Sequence, residues 1–138
     1  AVNRGYRLVL HLRAADRDVL RLLQRWVPRD WLLHLHSMRS STALHQVLLK
    51  EFPNAFFGFS GLLCMGDPDT EALCRCCPLD RVLLETDAPY LPLKPAAFSH
   101  PGIVPIIAAR IAEIKGLSGG AAEVLVAARE NTRRMYGI

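Results

Sequence analysis

The stretch Val82-Leu83-Leu84-Glu85-Thr86-Asp87-Ala88-Pro89-Tyr90-Leu91 decides the fold of this chain. A short apolar run leads into Glu85 and Asp87, and Pro89 then ends the run. This pattern predicts a buried strand that carries carboxylates at its C-terminal end. Because a carboxylate is costly to desolvate, we expect a cation or hydrogen-bond donors beside it, and histidines are the expected partners.

Three similar strands precede this one, and each is followed by a helical pattern. Strands that alternate with helices imply a parallel sheet, because each connection crosses one face of the sheet. The helices are indicated by apolar spacings of three and four residues and by capping residues at their starts. The predicted strands are 7–12, 31–36, 55–60 and 82–87, and the helices begin near Asp16, Ser41 or Thr42, Pro68, Ile103 and Ser118.

Each predicted strand ends in a polar residue: His11, His36, Ser60 and Asp87. They follow one another at roughly 25 residues, which is the step length of a (β/α) repeat. A doubly wound sheet of four strands would fit the chain length, whereas a (β/α)₈ TIM barrel needs about 250 residues. Converging strand ends favour the α/β barrel, of which this chain would be about the last four βα units plus a C-terminal helix.

Metal binding is the chemistry that these strand ends indicate. His11, His36 and Asp87 are ligand-type residues at equivalent points, although each alone is more often an ordinary polar residue. His34 lies two residues before His36 and therefore on the same strand face, as Glu85 does relative to Asp87. We expect His34 and Glu85 to interact beneath the metal and to orient its ligands. The alternative is that His34 replaces an apolar residue while Glu85 binds backbone amides.

Composition is that of an ordinary globular domain. The 138 residues are 51% hydrophobic and 22% charged, and the net charge of +4 is compatible with an anionic partner. No apolar run reaches the roughly 18 residues of a membrane span, and no signal peptide is recognisable. We expect a soluble intracellular protein, nuclear or cytoplasmic, whose sequence starts inside a longer one.

The chain has four cysteines, which fit buried reduced thiols better than a zinc site: Cys64, Cys74, Cys76 and Cys77.

Several segments together resemble the TatD-type metal-dependent DNases, a branch of the amidohydrolase-like TIM barrels. Leu84 to Tyr90 resembles the Glu-Thr-Asp-x-Pro signature of that family. The likeness runs over essentially all 138 residues and is nearest to the vertebrate TatD-domain-containing-2 branch. The other matching segments are Leu10 to Asp16, Leu35 to Met38, Gly58 to Gly61 and Glu130 to Tyr136.

The resemblance implies that His11 and His36 bind one divalent metal and Asp87 the other, with Glu85 and Arg13 beside the site. Glu85 and Asp87 would be the catalytic carboxylates, and two Mg, Mn or Zn ions about 4 Å apart would act on a phosphodiester. Arg13 and Arg39 are expected to meet substrate phosphates. Further family ligands, an N-terminal His-x-His and a bridging Glu, would precede Ala1 in the missing half of the barrel.

Three functions follow as expectations. The first is a metal-dependent nuclease acting on DNA, and also on RNA, in an exonuclease-like manner, with residues 1–138 as the C-terminal half of its barrel. The second is a metallohydrolase of the same barrel class acting on a small ester or amide. The third is a catalytically dead truncated product. A half barrel would expose two sheet edges, so we expect the isolated chain to be marginal in solution, with its oligomeric state left open.

Overall fold

Four parallel strands form a single sheet in the order β1-β2-β3-β4 in the computed structural model, which describes all 138 residues. Each strand therefore pairs with its neighbour in sequence. A doubly wound sheet would reverse its strand order at a switch point, so the observed order agrees with the barrel type of fold. The strands are β1 (Leu8–His11), β2 (Leu33–His36), β3 (Ala55–Phe59) and β4 (Val82–Leu84).

Five helices accompany the sheet, and their ends follow from local chemistry. Ser41 accepts a hydrogen bond from the backbone N–H of Leu44 at the start of the second helix, and Asp67 does the same for Thr70 at the third. Gly116, in the left-handed conformation, ends the fourth. The helices are α1 (Asp16–Trp26), α2 (Thr42–Glu51), α3 (Pro68–Cys76), α4 (Val104–Lys115) and α5 (Gly120–Tyr136), and short 3₁₀ turns span Val2–Arg4, Gly61–Met65, Leu79–Arg81 and Pro101–Ile103.

The two faces of the sheet carry different residues. One face packs on all five helices and forms the main core, to which β2 and β3 contribute Leu33, Leu35, Phe57 and Phe59. The other face carries the alternate residues, among them His34 and His36. A smaller apolar cluster covers its lower part, where the end of α5 packs across the strands; its members are Phe56, Leu83 and Met135, with Leu32 and Tyr136 against them.

Three local predictions are wrong. Asp16 does not cap α1, because its carboxylate instead accepts a hydrogen bond of 2.9 Å from the backbone N–H of Ser41. The last strand ends at Leu84, so Glu85 and Asp87 lie on the segment that leaves the sheet, although the N–H of Glu85 still donates to the carbonyl of Phe59.

The third wrong prediction concerns His45, whose place in the middle of a predicted helix favours an ordinary polar residue. It is fully buried, its ring lies 4.3 Å from that of Phe57, and neither of its nitrogens has a hydrogen-bond partner. Burial, assisted by the nearby charge of Lys115, lowers the pKa of His45 to about 4. The imidazole is therefore neutral across the physiological range.

The cysteines are free thiols, as predicted, but they are not all buried. Cys74 and Cys77 lie in the core, whereas Cys64 is half-buried and Cys76 is exposed. Burial raises the pKa of the Cys74 thiol to about 11 and also raises the pKa of Cys77. None of the helices combines the length and the apolar character that a membrane crossing requires.

Candidate metal centre

His11 and His36 lie side by side at the C-terminal ends of neighbouring strands. They are directly paired in the register of β1 and β2, and their ring centroids are 5.3 Å apart. Asp87 reaches the same point from beyond β4, with Oδ1 3.6 Å from Nε2 of His36. The structure thus brings together the three side chains that the sequence identified as candidate ligands.

Asp87 owes its position to its backbone. Its φ of 54° lies in the left-handed region, which Asp tolerates better than most residues. The turn directs its side chain back over the strand ends, where Oδ1 is buried and has no hydrogen-bond partner. Because a buried carboxylate oxygen without a donor is unfavourable, a cation is the natural complement of this atom.

Glu85 lies beneath these residues and is held by donors on both oxygens. Its Oε2 lies 2.6 Å from Nδ1 of His36, and its Oε1 accepts a hydrogen bond from the backbone N–H of Ser37. If His36 donates from Nδ1, its Nε2 retains the lone pair that a metal would need. The contact of Glu85 with Nδ1 resembles the one by which carboxylates orient metal-binding imidazoles.

Gly58 makes this contact possible. Glu85 follows β4 and His36 belongs to β2, so the carboxylate must cross the intervening strand β3. It crosses directly over Gly58, where a Cβ atom would stand 1.9 Å from Oε1 of Glu85. The glycine in the middle of this strand thus marks a close approach of another group to the backbone.

The ionisation of Glu85 reflects a competition between burial and its neighbours. Burial is the largest single influence and would raise the pKa of this carboxyl. The nearby imidazole of His34, the hydrogen bond of His36 and the amide of Ser37 together outweigh it, so the pKa of Glu85 is lowered. Glu85 is therefore a carboxylate at neutral pH.

His34 occupies the space between Glu85 and α5. Its Nε2 is 3.3 Å from Oε2 of Glu85, which confirms that the two side chains meet, although the pair is not aligned as a hydrogen bond and Nε2 counts as unpartnered. Its Nδ1 lies 2.6 Å from the hydroxyl of Tyr136. Burial, with a contribution from the charge of Glu85, raises the pKa of Tyr136, so its hydroxyl keeps its proton.

The donor set fits a divalent cation. Ligand atoms of His34, His36 and Glu85 all lie within 4.8 Å of one another. His11 and Asp87 lie near the same imidazole of His36, and these three residues line one cleft. Imidazole nitrogens with carboxylate oxygens suit zinc and manganese, and carboxylates also suit magnesium.

A cleft of about 610 Å³ opens above the strand ends. His11, His36 and Asp87 line it, whereas His34 and Glu85 do not. Both arginines that were predicted to meet phosphates also line it. Arg13 is exposed, and Arg39 lies 3.6 Å from Asp67 while remaining mostly exposed. The exposed Tyr90 stands at the same rim.

Sequence reasoning missed three contributors to this site. Gly58 carried a signal, since a glycine inside a strand often marks a close approach, but nothing indicated that Glu85 would approach there. No sequence pattern indicated that the amide of Ser37 or the hydroxyl of Tyr136 would contribute. Tyr136 is 102 residues from His34 in sequence, and no local pattern connects them.

Comparison with known proteins identifies relatives along the whole chain. A family model described as TatD related DNase matches residues 1–137. The human protein named 3'-5' RNA nuclease TATDN2 is 35% identical over 144 residues, covering all of this chain and 19% of the human protein. The protein named 3'-5' ssDNA/RNA exonuclease TatD from Erwinia tasmaniensis is 28% identical, with 94% of this chain and 51% of the bacterial protein covered.

Solved structures show the same fold. The crystal structure of an uncharacterized amidohydrolase from Saccharomyces cerevisiae matches with a TM-score of 0.80 at 20% identity, covering 96% of this chain and 54% of the yeast chain. At this identity the likeness concerns the fold alone, and it agrees with the predicted barrel type. The chain spans about half the length of the bacterial relative and about a fifth of the human one.

Proposed function

The chain belongs to the family of TatD related DNases, and on that basis we propose that it forms part of a metal-dependent nuclease. The proposed reaction is hydrolysis of phosphodiester bonds in nucleic acid at the strand ends that carry His11, His36 and Asp87. The observation that supports it best is the buried, unpartnered Oδ1 of Asp87, 3.6 Å from Nε2 of His36. Divalent cations bound here, one on Nε2 of His36 and one on Oδ1 of Asp87, would satisfy both atoms.

We propose two divalent ions for the complete site, with His11 and His36 on one and Asp87 on the other. Divalent cations polarise phosphoryl oxygens and neutralise the charge that develops on them during hydrolysis. Glu85 keeps the proton of His36 on Nδ1, so that Nε2 stays free to bind. Asp87, already desolvated on one oxygen, is placed to accept a proton from an attacking water.

The substrate is proposed from the cleft and from the relatives. Arg13 and Arg39 both line the cleft and present guanidinium groups to an anionic strand. Tyr90, three-quarters exposed at the rim, offers a face on which a base can stack. The two curated relatives compared above are named 3'-5' nucleases, one for RNA and one for ssDNA and RNA. We therefore propose exonuclease-like cleavage of single-stranded DNA and RNA.

We also propose that residues 1–138 are the C-terminal half of a complete barrel. The sheet has free edges at β1 and β4, and a barrel would pair both. Val9 on β1 is half exposed on the face that the remaining strands would cover. The nuclear or cytoplasmic location expected from the sequence stays a prediction.

The test measures metal binding and cleavage separately. Calorimetric titration of the 138-residue chain with Mn²⁺ or Zn²⁺ should show binding that Asp87→Asn weakens. Single-stranded DNA and RNA labelled at the 5' or the 3' end are then incubated with chain and metal. Successive shortening from the 3' end, lost in Asp87→Asn, is the expected result.

Two results would contradict parts of the proposal. If metal binds but only small esters or amides are hydrolysed, the nuclease assignment is wrong and the small-molecule alternative is right. If the chain alone is inactive, a hybrid with the unmatched half of the Erwinia relative tests the barrel proposal. Inactivity of that hybrid, once it is shown to be folded and metal-bound, would leave a catalytically dead product as the explanation.

A further inference from the structure

Tyr136, at the end of α5, touches the candidate metal centre only through His34. Its hydroxyl lies 2.6 Å from Nδ1 of His34, and the two rings meet edge to face at 86°. His34 is 7% exposed and lies outside the cleft that His36 and Asp87 line. The pair therefore lies below the site and does not belong to the surface that a substrate would reach.

The proton on His34 can be assigned from its surroundings. Nε2 is buried, and Oε2 of Glu85 lies 3.3 Å from it. A lone pair on Nε2 would face a carboxylate oxygen and be repelled, so this geometry favours the tautomer with its proton on Nε2. That tautomer holds its lone pair on Nδ1, where the Tyr136 hydroxyl can donate to it.

The consequence reaches His36. Oε2 of Glu85 is shared between His34 and His36, while Oε1 is occupied by the amide of Ser37. A carboxylate held on both oxygens cannot rotate away from Nδ1 of His36. The orientation of that imidazole is therefore set through a chain of contacts that begins on α5.

We propose that Tyr136 and His34 are positioning residues, which fix the Glu85 carboxylate and through it the metal-binding tautomer of His36. The relay starts at the Tyr136 hydroxyl, passes through the His34 imidazole and ends at Glu85. The role proposed for these residues rests on the proposed metal centre, whereas the contacts between them do not depend on a bound metal. Nε2 of His34 is thus assigned to Glu85, and the metal to His11, His36 and Asp87.

Nuclear magnetic resonance tests the relay directly. The 138-residue chain is labelled with ¹⁵N at histidine, and the imidazole nitrogens are observed at a fixed pH of about 8, above the ordinary imidazole pKa of about 6.5. We expect His34 to be protonated on Nε2 alone and to remain so when Zn²⁺ is added. In Tyr136→Phe we expect a mixture of the two tautomers. Tyr6→Phe, at an exposed tyrosine, is the matched control and should leave the spectrum unchanged.

Metal affinity provides the second readout. Loss of a group that orients a metal ligand typically costs 10- to 100-fold in affinity, so Tyr136→Phe should weaken Mn²⁺ binding by about 10-fold. His34→Leu should weaken it at least as much. His34→Gln, whose amide can accept from Tyr136 and donate to Glu85, should restore most of the affinity. A role limited to packing would predict the reverse order, because leucine suits an apolar position better than glutamine.

Several outcomes would overturn the relay. One is a His34 ring protonated on Nδ1, or on both nitrogens, at this pH. Another is a Zn²⁺-induced change at Nε2 of His34 itself, which would make it a ligand. Affinity unchanged in Tyr136→Phe would also contradict it. If the wild-type chain binds no metal, the proposed metal centre fails, and the tautomer measurement still decides the relay.

Discussion

The carboxylate of Glu85 reaches His36 across an intervening strand, with 2.6 Å between Oε2 and Nδ1. Their strands, β4 and β2, are not neighbours in the sheet. The contact between Glu85 and His36 therefore requires that residue 58 is a glycine, which has no side chain. This dependence gives the first prediction.

Gly58→Ala should displace the Glu85 carboxylate, because the added Cβ would overlap Oε1. Overpacking of this kind costs about 2 to 3 kcal/mol in the free energy of unfolding, which denaturant titration measures. The control is a double-mutant cycle with Glu85→Ala. In that background Gly58→Ala should cost clearly less, and an equal cost would mean that the clash lies elsewhere.

Asp87→Asn should abolish the charge that the candidate metal centre needs while keeping the backbone, since Asn tolerates a positive φ. We expect Mn²⁺ affinity to fall by about 100-fold or more, given that even orienting groups account for 10- to 100-fold. Calorimetry measures the change. Asp69→Asn, at an exposed carboxylate on α3, is the comparison. An equal loss in both variants would indicate unspecific charge effects.

Removal of His45 should abolish a pH dependence of stability. The folded pKa of about 4 lies below the ordinary value of 6.5, so the unfolded chain binds the proton more readily. Stability is then complete above about pH 6.5 and falls as the pH is lowered towards 4, by up to about 3 kcal/mol. We expect His45→Leu to lose this part of the acid sensitivity in unfolding curves recorded between these limits. His100→Leu, at an exposed histidine, should keep it.

Arg13→Ala and Arg39→Ala should each weaken binding to single-stranded nucleic acid with little regard to its sequence. Each lost phosphate contact should reduce the slope of log affinity against log salt by about 0.7. Fluorescence anisotropy over a series of salt concentrations measures this slope. Arg129→Ala, on the exposed side of α5, serves as the control. A slope unchanged by either substitution would remove the arginines from the interface.

The free edge of β1 should promote association of the isolated chain, because its unpaired backbone groups are accompanied by an exposed apolar side chain on the same strand. Val9 of β1 is 51% exposed. We expect sedimentation velocity to show concentration-dependent association that Val9→Lys reduces. Val126→Lys, at a valine on α5 that is 65% exposed, should not reduce it. A monomer at all concentrations would contradict this expectation.

The sequence predicted those features that depend on neighbouring residues. Strands and their polar ends follow from local patterns, so the positions of His11 and His36 could be anticipated, and so could the helix starts near Ser41 and Pro68. The regular step of the repeat favoured the strand order of a barrel over that of a doubly wound sheet, and it allowed a contact between His34 and Glu85 to be proposed. These inferences needed no knowledge of distant contacts.

The remainder depended on tertiary structure. The apolar spacing of α2 marked Leu44 and Leu48 as core residues, but it could not show that the buried face was wide enough to enclose His45. The bend that places Asp87 outside its strand arises from backbone conformation. The contact of Tyr136 with His34 depends on how α5 crosses the sheet, which no short pattern encodes.

The path of α5 has a consequence for folding kinetics. The contacts that build the centre join residues 49 and 102 positions apart, His36 with Glu85 and His34 with Tyr136. Contacts of such long range close late, because the entropy of large loops must be overcome first. We therefore expect the early βα units to gain protection from hydrogen exchange before the His34 ring becomes ordered. Docking of the last helical turn would complete the centre.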